Sequence, residues 1–266
     1  MARWTPERWR KLRVKTGFSI YYVIFLVFIY GPMFAMFVLS FPMRGYSLYW
    51  WNKLLEPSTV GDMQGAMGRS IILALMVMVI TAFFSTMLAM AFRKSFWFSN
   101  VLFYTILTGL MVPGVLLSLG MAILLRQLGL PPAWYSSGLA VHVIWALPFG
   151  YLVMMAVFNR FDSRLEEAAR DMGANEWTVF KEIPLPLITP GVVAAGLFGF
   201  TLSYDEFART TLLSGAENTL PLDINSSMTQ RIRPTLFALG TASTIFSLMM
   251  ISVFLGIYTI LYRRSR

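Results

Sequence analysis

The 266-residue chain contains no cysteine and a single histidine, His142. Without thiols it forms no disulfide and offers no thiolate as nucleophile or metal ligand. One histidine and no cysteine leave no tight transition-metal site to expect. Charge is also scarce: Asp, Glu, Lys and Arg make up 13% of the chain, against about 25% in a soluble domain. No Gly-x-x-x-x-Gly-Lys-Ser/Thr occurs, so no P-loop cradles a nucleotide phosphate. Any nucleotide-driven work requires another polypeptide.

Apolar sequence is abundant. Hydrophobic residues make up 57% of the chain and the mean hydropathy is +0.63. A membrane span needs about 20 mostly apolar residues. Six charge-free stretches meet or approach that length: Gly17–Met43, Ile71–Phe92, Val101–Leu125, Gly138–Phe158, Leu187–Tyr204 and Thr235–Tyr262. Lipid satisfies no exposed backbone groups, so each is expected to be helical. A β-barrel is excluded by Ile71–Phe92, which lacks the alternation of barrel strands. The expected fold class is therefore an all-α polytopic membrane protein, a single domain over 1–266, with six transmembrane helices. A basic segment, 1–16, precedes the first.

The 22 Lys and Arg give the orientation. Arg3, Arg8, Arg10, Lys11, Arg13, Lys15, Arg93, Lys94, Arg160, Arg164, Arg170, Lys181, Arg263, Arg264 and Arg266 fall on one side. Arg44, Lys53, Arg69, Arg126, Arg209, Arg231 and Arg233 fall on the other. The positive-inside rule places the richer side, and with it both termini, in the cytoplasm. The net charge of +9 is thus accounted for by topology, not by nucleic-acid binding. The basic amino terminus reads as the flank of a retained span, because the apolar run exceeds a signal peptide's core and Ser40-Phe41-Pro42 is no cleavage site. Trp50, Trp51 and Trp134 read as interfacial anchors.

The connector 159–186, between spans 4 and 5, carries most of the remaining charge. Ser163-Arg164-Leu165-Glu166 fits a capping box, with Ser163 as N-cap and Glu166 reaching back. Leu165, Ala168, Ala169 and Met172 then share one helix face. Gly173 stands where the chain needs a left-handed residue. Asn175 is placed to cap a second helix, Glu176–Glu182, which presents Trp177 and Phe180. Pro184 and Pro186 should end it. The spacing predicts two short amphipathic helices joined at a glycine bend.

Residues 167–186 run Glu167-Ala168-Ala169, three residues, Gly173, nine residues, then Ile183, one residue, Leu185-Pro186. This resembles the EAA loop of binding-protein-dependent ABC importer permeases at every fixed position. The resemblance implies a coupling loop that docks on a separate ATPase homodimer, with Glu167, Ala168, Ala169, Gly173, Trp177, Ile183, Leu185 and Pro186 as its residues. ATP-Mg would be bound by that partner and no cofactor by this chain, which is then a non-catalytic subunit. The family also implies a periplasmic substrate-binding protein and a second permease. The wider chain resembles the permease pair of spermidine/putrescine importers, through Tyr30-Gly31-Pro32, Val112-Pro113-Gly114 and Ser203-Tyr204-Asp205-Glu206-Phe207. That pair is a heterodimer, so the second permease is expected to be a paralogue. Permeases for iron, thiamine, phosphonates and opines share much of the pattern and stand as the alternative. An ion-coupled carrier is disfavoured, because His142 is the one ionisable group within the six spans.

Two features bear on a pathway. Gly191, Ala195, Gly199 and Ser203 recur every four residues, a small-residue stripe that packs either on a neighbouring span or across to a second permease. Pro113 and Pro148 should bend spans 3 and 4. At the end of span 5 and just past it, Ser203, Tyr204, Asp205, Glu206 and Phe207 stand at the outer end of the expected pathway. A carboxylate there attracts cations, and Tyr204 and Phe207 are placed for cation–π contacts. Asp205 continues the stripe most closely in angle.

Overall fold

The structure, a computed structural model, describes residues 6–42, 47–54, 56, 63–230 and 233–264. Arg3, Arg44, Arg231 and Arg266 of the topology argument lie outside these. The described residues are helical with no strands among them. Among the described residues, five helices are long and apolar enough to cross a membrane, and a sixth candidate is a bent pair.

The chain divides into two compact units. The smaller comprises residues 1–60 and 231–245. It holds α1 (Pro6–Leu39), the short α2 (Tyr49–Lys53) and the first part of α11 (Pro234–Arg264). The helix of α1 begins within the basic segment, so charged flank and apolar span form one continuous rod. Large apolar side chains such as Phe18, Phe28 and Phe34 point outward along α1, as suits a helix whose solvent is hydrocarbon. A Cβ on Gly240 of α11 would meet Met36 Sδ of α1 at 2.6 Å, so glycine permits that approach.

The larger unit comprises residues 61–230 and 246–266. Its centre is three mutually packed helices: α3 (Met63–Ala91), α6 (Leu139–Phe158) and α9 (Pro184–Tyr204). Leu73, Val77 and Ala146 form one fully buried cluster; Ala89, Tyr151, Met154, Phe158, Ile188 and Ala195 form another. The small stripe of α9 is consumed here. A Cβ on Gly191 would lie 2.6 Å from Val157 Cγ2, and one on Gly199 would lie 3.0 Å from Thr81 Cβ and 3.1 Å from the Val77 carbonyl. The stripe therefore packs α9 on α3 and α6 of its own chain, and is not available to a second permease.

Span 3 is broken, not merely bent. α4 (Ser99–Met111) and α5 (Gly114–Gln127) meet at 107°. Val112 is extended, with ψ 122°, because the ring of Pro113 excludes the helical conformation from the residue before it. Pro148, by contrast, sits inside an α6 that runs on unbroken from 139 to 158. A π turn, Trp134–Gly138, precedes α6. Trp134 Nε1 donates to Glu217 at 2.8 Å, so this side chain is fastened to protein as well as placed near a helix end.

Candidate functional site

Two regions bear on the expected coupling loop and pathway. The first is the connector between α6 and α9. It contains α7 (Arg164–Asp171) and α8 (Glu176–Glu182). The expected capping box is absent. Ser163 has helical φ and ψ and makes no side-chain cap; Asp162 Oδ1 instead accepts from the Arg164 N–H at 3.0 Å. Glu166 does not reach back, because both its oxygens are taken by Arg93, at 2.9 and 2.6 Å. A bidentate charge-assisted pair outcompetes a single bond to a backbone N–H.

The rest of the connector follows its sequence signals. Gly173 adopts φ +86°, and the Ala174 N–H donates to the Ala169 carbonyl across the bend at 3.1 Å. This is the glycine-terminated helix end in which the chain reverses and satisfies the last carbonyls. Asn175 Oδ1 accepts from the Thr178 N–H at 2.8 Å and caps α8. Arg170 spans the bend to Glu176 at 2.7 and 3.0 Å. The Arg170 hydrogen bond holds the Glu176 carboxyl below its ordinary range. Pro184 does more than stop α8: it opens α9, with Ile183 alone between the two helices.

Of α7, Glu166 and Ala169 are buried; of α8, Val179. The predicted apolar face of α7 therefore splits. Ala169 turns inward, while Leu165, Ala168 and Met172 are exposed, Met172 at 83%. Trp177 is 69% exposed, with its ring 5.9 Å from that of Phe180. Glu167 is exposed, as are Leu185 and Pro186, while Ile183 is half-buried. The connector thus presents an exposed surface of apolar and acidic side chains.

The second region follows α9. Asp205 is its C-cap residue and is exposed; partial burial pushes its carboxyl above the ordinary range. Glu206 is buried, and its carboxylate is already occupied. Its oxygens accept from the Arg209 backbone N–H at 2.9 Å and from Arg209 Nη1 at 3.0 Å. The Arg209 guanidinium lies 3.5 Å from the centre of the Trp145 ring. Ser118 of α5 donates to the Arg209 carbonyl, and a Cβ on Gly114 would meet Arg209 Cγ at 3.0 Å. The broken span is therefore keyed to this cluster. His142 lies 2.8 Å from Ser203 Oγ and 2.7 Å from Thr210 Oγ1. Thr210 Oγ1 donates to the Glu206 carbonyl, so it accepts from His142 Nε2, and Ser203 donates to Nδ1.

Of the residues expected along a pathway, Asp205 and Phe207 are exposed. Ser203 and Glu206 are buried in internal bonds. Tyr204 is buried too, stacked on Phe200 at 5.9 Å and 5.4 Å from Phe246. In this region Arg209 lies over the Trp145 ring. Sequence reasoning missed Arg209, Trp145 and Arg93. Glu206 and Arg209 stand three apart, a spacing that signals a pair. Nothing in sequence separation joins Arg93 to Glu166.

Comparison with known proteins fits this architecture. The family model described as "Binding-protein-dependent transport system inner membrane component" matches residues 83–266. The chain is 30% identical over 214 residues to the spermidine/putrescine transport system permease protein PotC of Haemophilus influenzae, covering 78% of this chain and 80% of that protein. It is 28% identical over 248 residues to the putrescine transport system permease protein PotI of Escherichia coli, covering 88% and 84%. A crystal structure of a bacterial ABC transporter involved in the import of the acidic polysaccharide alginate shares the fold, with a TM-score of 0.68 at 16% identity over 97% of this chain and 96% of that one. The chain belongs to the family of binding-protein-dependent transport system inner membrane components, the permease subunits of ABC importers.

Proposed function

We propose that this permease forms half of the translocation pathway of a polyamine importer and is driven through residues 159–186 by a separate ATPase homodimer. The observation that carries the coupling half is the exposed face of α7 and α8. Leu165, Ala168, Met172 and Trp177 are left uncovered on a connector whose ends are fixed by α6 and α9. Exposed apolar side chains rimmed by charge are what a protein interface requires. Glu167 and Gly173 serve this docking, Glu167 by its charge and Gly173 by its bend. Ile183, Leu185 and Pro186 fix the entry into α9. In this reading the connector and both termini are cytoplasmic, ATP-Mg stays on the ATPase, and this chain catalyses nothing.

The polyamine half rests on the relatives named above and on Asp205. An exposed carboxylate at the end of α9 suits a dication handed over by a periplasmic binding protein. The second permease is a paralogue. Co-expression of this chain with its cognate ATPase, second permease and binding protein tests both halves. In proteoliposomes, ATP hydrolysis should rise when the binding protein is loaded with putrescine or spermidine. A binding protein that prefers an anion would end the polyamine reading and leave the coupling reading intact.

A further inference from the structure

α3 packs on both α6 and α9, so it touches each of the other two central helices. Just past its carboxy-terminal end stands Arg93. Its guanidinium gives Nη1 to Glu166 Oε1 and Nη2 to Glu166 Oε2, across 73 residues of sequence. The same group lies over the rings of Phe158, at 5.4 Å, and Phe161, at 4.9 Å. Side-chain exposures of 22% for Arg93 and 11% for Glu166 place the pair largely out of solvent. Fork geometry and ring stacking together are a guanidinium property that an ammonium does not reproduce.

The pair matters because α7 has so little else holding it. Apart from Glu166, Ala169 is its one buried side chain. No apolar core pins the helix down. Arg93 and Ser163 also line two neighbouring grooves, of about 620 and 670 Å³, so open space adjoins the pair. α8 is tied differently, by Val179 and by its direct run into α9.

We infer that Arg93 is a positioning residue that carries displacement of α7 to α3, so that movement of the docked connector reaches the centre of the bundle through the Arg93–Glu166 pair. The inference rests on the docking reading above. It adds a second route beside the covalent one from α8 into α9.

The test uses the full complex in proteoliposomes and reads substrate taken up per ATP hydrolysed. Arg93→Ala should lower that ratio at least tenfold while the ATPase still co-purifies. Arg93→Lys should fall well below wild type as well. Arg93→Glu and Glu166→Arg should each fail alone. Together they should recover at least a third of the wild-type ratio, which a purely local packing defect would not allow. A wild-type ratio in Arg93→Ala overturns the inference, and so does a double variant no better than either single change. Loss of the ATPase from Arg93→Ala complexes also overturns it, since Arg93 would then be holding the docking surface rather than passing motion on. A wild-type chain that fails to co-purify with the ATPase refutes the docking reading instead.

Discussion

The connector after α6 and the cluster after α9 use similar residues to opposite ends. Each is a short segment containing acids, an arginine and aromatic side chains. In the connector, the apolar side chains Leu165, Met172 and Trp177 stay exposed and Glu167 remains in solvent. After α9 the arrangement inverts: Glu206 and Arg209 are buried and paired, and Trp145 covers the guanidinium. A surface left open is available to a partner. A cluster closed on itself stabilises its own chain and must be disrupted before it handles anything else. The difference separates an open surface from a lock, although composition alone would group the two together.

The sharpest way to break this comparison is to unpair the lock. Arg209→Ala leaves the Glu206 carboxylate buried without its guanidinium. Removing one partner of a buried pair costs about 3–5 kcal/mol. Thermal unfolding in detergent should show a large drop, and a shift within error of wild type would mean the pair is not the lock described. The connector should behave otherwise. Gly173→Val forces a β-branched residue into φ +86°, at about 1–2 kcal/mol or more. The chain should still insert in the membrane, yet uptake should fall severely. Normal uptake would show that the bend does not matter to coupling.

A smaller effect is expected at Asp205, which lies beside the lock but remains exposed. Burial raises its carboxyl above the ordinary range. Raised this way, the group binds its proton at higher pH than a free aspartate and loses its charge earlier as pH falls. Polyamine uptake should therefore begin to decline on acidification above the usual carboxylate range. Asp205→Asn should transport less at neutral pH and show a flatter acid limb. Identical pH profiles would remove Asp205 from the pathway. The smallest effect belongs to Arg170 and Glu176, both well exposed. The Glu176 carboxyl is held low, so the tie across the bend is present at neutral pH and is lost only as pH falls through that lowered value. Glu176→Gln should change uptake little at pH 7, and a large loss would give the pair more weight than an exposed bridge normally carries.

What the sequence made legible was local. Gly173, Asn175 and the run from Glu176 to Glu182 each signal their geometry through the residues beside them, and the structure agrees. Apolar length located the spans, and Pro113 marked where span 3 fails. What stayed hidden depended on contacts between distant segments. The stripe on α9 said only that something packs closely; its partners, Thr81, Val77 and Val157, are set by tertiary arrangement. Ser163 and Glu166 match a capping box on paper, but Arg93 arrives from 73 residues away and takes the carboxylate. Helix angle had singled out Asp205 of the two acids after α9, but it gave no sign that Arg209 takes the carboxylate of Glu206.

The central claim is that the exposed side of α7 docks on the ATPase. The chain has no cysteine, so Met172→Cys introduces a unique thiol at an 83% exposed position. A short bismaleimide or oxidative crosslink should join this variant to a matching cysteine on the ATPase, giving one heterodimeric band that changes in yield with ATP. A variant that transports normally, forms no such band, and is labelled by an impermeant maleimide from the periplasmic side would contradict the account.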